Sequence, residues 1–256
     1  MSDRRARRPG RGSKRPLLGA TMIVYGRNPV REAVRGRRRV LRLWVARESG
    51  QAVPEGAPPA SIVEPAELDR ICGSTDHQGF ACEVDPYPYV DGEALLEDPD
   101  ALVVALDQVQ DPHNLGAICR SAECAGAACV VLPERRSAEV TPAVCRASAG
   151  AVEHLPIARV RNLADYLKLA SDRGAWIYGA EAGAEASYTD PDYSGLTVLV
   201  LGSEGRGLGP RVRSVCDQLV SLPVRGSIES LNVSAAAAVL LYQAALARPQ
   251  ENARTS

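Results

Sequence analysis

The chain is poor in aromatic residues. They make up 4% of its 256 residues, with a single phenylalanine, Phe80, and two tryptophans. A nucleic-acid platform built from many stacked rings is therefore excluded. No apolar run reaches the roughly 18 residues that a membrane span needs. No apolar stretch follows the charged N-terminus, so no secretory signal is read. Histidine is scarce, and His77, His113 and His154 are scattered. The seven cysteines include no C-x-x-C pair, and Cys119, Cys124 and Cys129 do not have zinc spacing. No metal site is expected. The cysteines read as small buried residues of a reduced, cytoplasmic protein. Gly-Lys-Ser/Thr does not occur, which removes the Walker phosphate loop.

What remains is ordinary globular composition, 45% hydrophobic and 24% charged. The length suits one large domain or two small ones. A formal net charge of −1 hides a strong asymmetry: residues 1–42 carry 14 Lys and Arg against two acids, Asp3 and Glu32. Such segregation suggests a polyanion-binding front end on an acidic body. For residues 1–15 a merely solvating tail is the plainer alternative.

Residues 1–20 are Arg/Gly/Pro-rich and cannot bury a core, so they read as a basic disordered tail. Residues 21–85 read as a small α/β domain. Asn28-Pro29 opens a helix, Leu41–Val45 alternates like a half-buried strand, and 50–60 is loop. Pro65–Cys72 is a short helix and Gly79–Val84 a strand. Pro86, Pro88 and Asp91-Gly92 mark a linker over 86–99. From 100 to 256 strands and helices alternate. Strands are expected at Ala101–Leu106, Cys129–Leu132, Ala175–Gly179, Leu196–Leu201 and Leu219–Leu222. Helices are expected at Asn114–Ala125, Asn162–Arg173, from Pro210, and at Val233–Leu246. This alternation predicts a parallel sheet covered on both faces. The last helix is apolar nearly all round, so it lies either inside the domain or against a partner chain.

Three stretches lie at the C-terminal ends of expected strands, where open α/β sheets place their ligands. They are Leu106–Arg120, Leu199–Gly209 and Leu222–Ser234. In the second, Gly205, Gly207 and Gly209 alternate, which is not the dinucleotide fingerprint. Taken singly, each residue has a structural reading. Asn114 and Asn232 can cap helices, Glu204 can be a solvated loop acid, and Arg120 a surface arginine.

Taken together, the three stretches resemble the SpoU family of RNA 2′-O-ribose methyltransferases, within the knotted SPOUT class. The resemblance rests on Asn114-Leu115-Gly116 with Arg120, on Gly202-x-Glu204-Gly205-x-Gly207, and on Ser230-Leu231-Asn232-Val233-Ser234. It covers about residues 100–247. Residues 21–85 resemble the small RNA-binding domain of the ribosomal-RNA branch, through Tyr25–Val30 and His77-Gln78-Gly79. The resemblance implies a parallel sheet with a deep C-terminal trefoil knot. It implies S-adenosylmethionine held near Gly202, Leu222 and Leu231. It makes Arg120 the activating residue, oriented by Glu204, with Asn114, Ser230 and Asn232 as hydrogen-bonding groups. A guanidinium stays protonated, so Arg120 is read as an electrostatic stabiliser of the developing alkoxide. A homodimer sharing site residues is implied. Arg27, Arg31, Arg35, Arg38 and Arg39 are expected to neutralise RNA phosphates. The expected activity is 2′-O-methylation of a guanosine ribose in large-subunit ribosomal RNA. Transfer RNA, an antibiotic site on ribosomal RNA, or a non-catalytic RNA-binding assembly factor are the alternatives.

Overall fold

In the computed structural model of the chain, residues 21–47, 49–50, 52–228 and 230–248 are described; the expected basic tail over 1–20 lies outside them. The N-terminal part is built from β1 (Met22–Tyr25), α1 (Arg27–Arg35), β2 (Val40–Ala46), β3 (Ala60–Val63), α2 (Pro65–Cys72) and β4 (Phe80–Val84). Its four strands lie in the order β1-β4-β2-β3. β4 runs antiparallel to β1 and β2, whereas β3 is parallel to β2. β3 begins at Ala60, the last residue of the segment read from sequence as loop, and runs on over residues 61–63, for which no element was expected. Pro54, Pro58 and Pro59 give that segment its loop character, and the pairing with β2 makes the strand from Ala60 on.

The second part holds β5 (Leu102–Asp107), α3 (Pro112–Cys124), β6 (Cys129–Pro133), α4 (Pro142–Ala147), β7 (Ile157–Val160) and α5 (Leu163–Asp172). It continues through β8 (Trp176–Ala180), β9 (Ala186–Ser187), β10 (Thr197–Gly202), α6 (Pro210–Arg213), β11 (Gln218–Ser221) and α7 (Val233–Ala247). The seven strands form a parallel sheet in the order β7-β6-β5-β10-β8-β11-β9. The central strands β5 and β10 are apolar because both faces are covered. On β5, Leu102, Val104 and Leu106 pack with Leu115 and Ile118 of α3 and Leu240 and Leu241 of α7. Val103 and Ala105 point the other way, toward Leu163, Leu167 and Ala170 of α5. Each such buried leucine contributes on the order of 1.5–3 kcal/mol.

Local chemistry sets the helix starts. Asp111 caps α3 by accepting from His113 N at 2.8 Å, Asn162 caps α5, and Asn232 caps α7. Each cap follows a strand or loop that ends at the C-terminal edge of the sheet. That edge therefore collects loops and helix N-termini. Register puts Asp107 of β5 beside Gly202 of β10, and Asp107 Oδ2 accepts from Gly209 N at 2.7 Å. The glycine-rich loop is thereby tied down at its far end.

The two sheets meet through a polar seam. Arg38, after α1, is 5% exposed and pairs with Glu153, which is 1% exposed. Its Nε donates to Glu153 Oε2 at 2.9 Å, and its guanidinium lies 5.6 Å from the Tyr87 ring centroid. Arg37 Nη2 donates to Leu155 O at 2.9 Å, and Tyr87 Oη donates to Leu155 O at 3.0 Å. Gly36 and Gly150 let the chains approach here: a Cβ on Gly36 would stand 2.6 Å from Glu153 Cβ. Arg38 was expected to face RNA, and the structure corrects this. Its charge is consumed by a carboxylate inside the protein. Cys124 is a second correction, being exposed rather than buried. The other six cysteines are buried or half-buried, and burial raises the Cys145 thiol to about 11.

Candidate active site

Three loops converge at the C-terminal edge of the sheet: the β5–α3 turn, the loop after β10, and the segment between β11 and α7. Asn114, Glu204 and Asn232 come from one each, and they meet. Asn114 Nδ2 donates to Glu204 Oε1 at 3.1 Å. Asn232 Nδ2 donates to Asn114 Oδ1 at 3.0 Å and also to Glu204 Oε1. Asn114 is buried, whereas Glu204 and Asn232 are exposed.

The helix caps explain why these amides face the carboxylate. Asp111 already caps α3, so the Asn114 side chain is free to turn toward the site. Asn232 does both jobs. Its Oδ1 accepts from Ser234 N at 2.9 Å and from Ser234 Oγ at 2.6 Å. The oxygen end is thus fixed on α7, which leaves the NH2 end pointing at Glu204. Both contacts to Glu204 converge on Oε1. Among the described residues, Oε2 accepts no hydrogen bond. It is a carboxylate oxygen held in place and open to a ligand.

Two cavities adjoin this cluster. The larger, about 470 Å³, is lined by Gly202, Leu222, Ser230 and Leu231, by Leu201, Val220 and Val233, and by Glu181 and Glu204. Its volume lies in the range of small-molecule sites, about 300–1,000 Å³. The smaller, about 350 Å³, is lined by Gln108, Gln110, Asp111, Asn114, Ser203, Glu204, Arg206 and Val109 and Val233. Ser203, Glu204 and Val233 border both. Gly202 holds the larger cavity open by close backbone approach: a Cβ there would lie 2.1 Å from Gly207 C.

The structure brings together Asn114, Glu204 and Asn232, and places Gly202, Leu222, Ser230 and Leu231 on one cavity wall. It does not bring Arg120 to them. Arg120 is exposed, about 9 Å further along α3 at 1.5 Å per residue, and on another face. Among the described residues it makes no ion pair or hydrogen bond. Glu204 was expected to orient Arg120; within one chain it instead holds Asn114 and Asn232. Arg31 and Arg35 both stand near Glu32, at 2.8 and 3.9 Å, while Arg27 and Arg39 are exposed.

Asp107, Gln108, Gln110 and Ser234 were missed as site residues. Gln108 carries φ +61°, a conformation rare outside glycine. No sequence pattern announces that strain. Ser234 was within reach, because a serine two residues after an Asn cap is placed to share its oxygen.

A small-molecule cavity and a polar pocket that share a wall at the C-terminal edge of a parallel sheet make the ligand site of an open α/β protein. The family can be stated more closely. Residues 101–242 match the family model "SpoU rRNA Methylase family", and residues 23–90 match "RNA 2'-O ribose methyltransferase substrate binding". The chain is 44% identical over 248 residues to an "Uncharacterized tRNA/rRNA methyltransferase" of Mycobacterium avium, covering 92% of this chain and 80% of that one. Among solved structures it resembles the SpoU methyltransferase AviRb from Streptomyces viridochromogenes in complex with the cofactor AdoMet. That likeness has TM-score 0.74 and 27% identity, over 88% of this chain and 90% of that one. The AdoMet-bound rRNA methyltransferase from Sinorhizobium meliloti gives TM-score 0.74 and 25% identity, over 88% and 86%. The chain belongs to the SpoU family and is an RNA methyltransferase.

Proposed function

We propose that the protein transfers a methyl group from S-adenosylmethionine to the 2′-hydroxyl of a guanosine ribose in large-subunit ribosomal RNA. The observation that carries this reading is the pair of cavities that share Glu204 at their common border. One cavity has apolar walls with the carboxylates Glu181 and Glu204, which suit an adenosine bearing cationic sulfonium and ammonium groups. Gly202, Leu222 and Leu231 would hold that group, which supplies an electrophilic methyl when bound. The other cavity is polar and suits the acceptor nucleoside.

A ribose hydroxyl is a weak nucleophile at neutral pH. In this reading Glu204 Oε2, held by two amides on its neighbouring oxygen, would accept the hydroxyl hydrogen bond. Asn114 and Asn232 keep that carboxylate oriented. Ser230 offers a further hydroxyl on the cavity wall. Arg120 lies outside this cluster, so its role is read as electrostatic and delivered from a second copy of the chain. The outer face of α7 supports a homodimer, since Tyr242 is 49% and Leu246 71% exposed. A knotted arrangement of the loops after β10 and β11 belongs to this reading through the family alone. Residues 21–85 act as the RNA-binding part, with Arg27 and Arg39 as phosphate contacts.

The test is transfer of labelled methyl to separate pools of unmodified ribosomal and transfer RNA, followed by nucleoside mass spectrometry. 2′-O-methylguanosine in large-subunit RNA is the expected product. Label confined to transfer RNA would overturn the substrate and leave the chemistry. No label in any pool would overturn the activity.

A further inference from the structure

Of the arginines first expected to contact RNA, Arg31, Arg35 and Arg38 stand beside acids of the same chain. Three arginines outside that set differ. Arg135 and Arg136 follow β6, and Arg206 follows β10; all three are exposed, and among the described residues none makes an ion pair or hydrogen bond. All three sit at the C-terminal edge of the parallel sheet, the edge that carries both cavities. β6 and β10 are separated only by β5. Their ends are therefore about 10 Å apart at roughly 4.8 Å per strand.

The loop bearing Arg135 and Arg136 is held from three sides. Glu134 N donates to Val160 O at 2.8 Å, and Arg159 Nη2 donates to Glu134 O at 2.8 Å. Ala138 N donates to Val109 O at 2.9 Å. Val140 N donates to Tyr89 Oη at 2.9 Å. Val109 lines the polar cavity, so the Val109–Ala138 bond fixes this loop to the cavity's rim. Arg136 itself carries φ +58°, a conformation that side-chain-bearing residues avoid. The backbone is thus pinned on both flanks while two guanidinium groups are left unpaired. Among the described residues nothing pairs with these charges. Arg206 stands in the lining of the same cavity.

We propose that Arg135, Arg136 and Arg206 form a phosphate track that seats the RNA strand carrying the acceptor nucleotide in the polar cavity. The inference rests on the methyl-transfer reading above for what enters that cavity, but the track is a claim about RNA binding. The chemistry favours the backbone of an unpaired RNA segment. Guanidinium groups match phosphate oxygens in pairs, and a cavity of about 350 Å³ takes one nucleoside only once it is unstacked.

The test measures binding of a labelled large-subunit ribosomal RNA transcript without any methyl donor, over about 0.05–0.3 M salt. Wild type, R135A/R136A and R135K/R136K are compared, with thermal melting of each. R135A/R136A is expected to bind at least tenfold more weakly at about 0.15 M salt. Its slope of log affinity against log salt should fall by about 1.4, at ~0.7 per phosphate of single-stranded RNA. R135K/R136K should restore most of that slope. Methyl transfer at saturating RNA should keep its kcat while KM for RNA rises. If R135A/R136A fails to fold, R135A/R136G carries the same test, because glycine accepts the positive φ. Unchanged affinity and slope overturn the proposal. So does a loss that lysine does not restore, since that assigns the loop a role in shape rather than charge. Failure of the methyl-transfer reading is separate: wild type would show no S-adenosylmethionine heat by calorimetry and no label in RNA, whatever its salt slope.

Discussion

Two carboxylates, Glu153 and Glu204, each anchor a polar cluster, and they are held in opposite ways. Glu153 lies in the seam between the two sheets, 1% exposed, and meets Arg38 through both oxygens. Burial alone would lower the Arg38 guanidinium, but the hydrogen bond and charge of Glu153, together with Cys145, more than offset this and raise it. Both carboxylate oxygens and every guanidinium nitrogen of that pair have a partner. Glu204 lies at the cavity border and meets only neutral amides, all on Oε1. One oxygen is fixed and the other is left open. A saturated polar cluster fixes geometry, whereas a half-satisfied one at a solvent-reachable border is poised for a ligand.

The contrast is broken most severely in the seam. Glu153→Ala strands the Arg38 charge in a dry site, which costs about 3–5 kcal/mol. Urea denaturation should show that loss, with per-molecule methyl transfer of the folded fraction preserved. The double change Arg38→Met with Glu153→Leu should recover most of it, because removing both charges removes the desolvation cost. If Glu153→Ala is as stable as wild type, the seam is not the lock described above.

The reverse pattern is expected at the site. Glu204→Gln keeps the volume and an acceptor oxygen for the two asparagines. Stability should stay within about 0.5 kcal/mol. Turnover should fall by about 10²–10³-fold, the loss seen when one preorganised polar group is removed. A variant with lowered stability and normal turnover would place Glu204 with Glu153 rather than opposite it.

Asn232 lies between the two cases, because it caps α7 and orients Glu204. Asn232→Ala should lose both, with about 0.5–2 kcal/mol of stability gone from the cap. Asn232→Ser separates the roles. Serine still caps the helix through its hydroxyl, but it offers no amide to Glu204. Near-wild-type melting with turnover close to that of Asn232→Ala is the expected outcome.

These contrasts also show what could be read from sequence. The three loops were legible because each follows an apolar strand and carries a distinctive residue order. Their convergence was legible only through family resemblance, since Asn114 and Asn232 are 118 positions apart. α4 and β7 were missed because they are 6 and 4 residues long, too short for a periodicity to register. The seam was missed for another reason. Arg38 and Arg39 read alike as phosphate contacts, yet the fold buries Arg38 and exposes Arg39. The partner of Arg38, Glu153, is 115 residues away, and no local pattern marks it as different from other acids. The unpaired arginines of the β6–α4 loop stand in the acidic part of the chain, and only the fold brings them to the same sheet edge as Arg206.

The smallest expected effect lies at the rim of the same seam and sharpens the comparison by degree. Glu32 of α1 meets His154 at 3.0 Å and Arg31 at 2.8 Å. Burial pushes its carboxyl up, but the hydrogen bonds from Arg31 and His154 outweigh this and hold it below its ordinary value of 4.5. A lowered carboxylate stabilises the fold above its unfolded value and ceases to do so as pH falls through the folded one. The advantage of wild type over Glu32→Gln should therefore be present near neutral pH and shrink below about 4.5. Arg31 is 45% and His154 37% exposed at the side chain, so solvent screening limits the effect to about 1 kcal/mol or less. Added salt should reduce it further, whereas the Glu153→Ala loss should change little with salt because that pair is dry. If both losses respond to salt alike, the seam is wetter than its burial shows, and the distinction between its core and its rim falls.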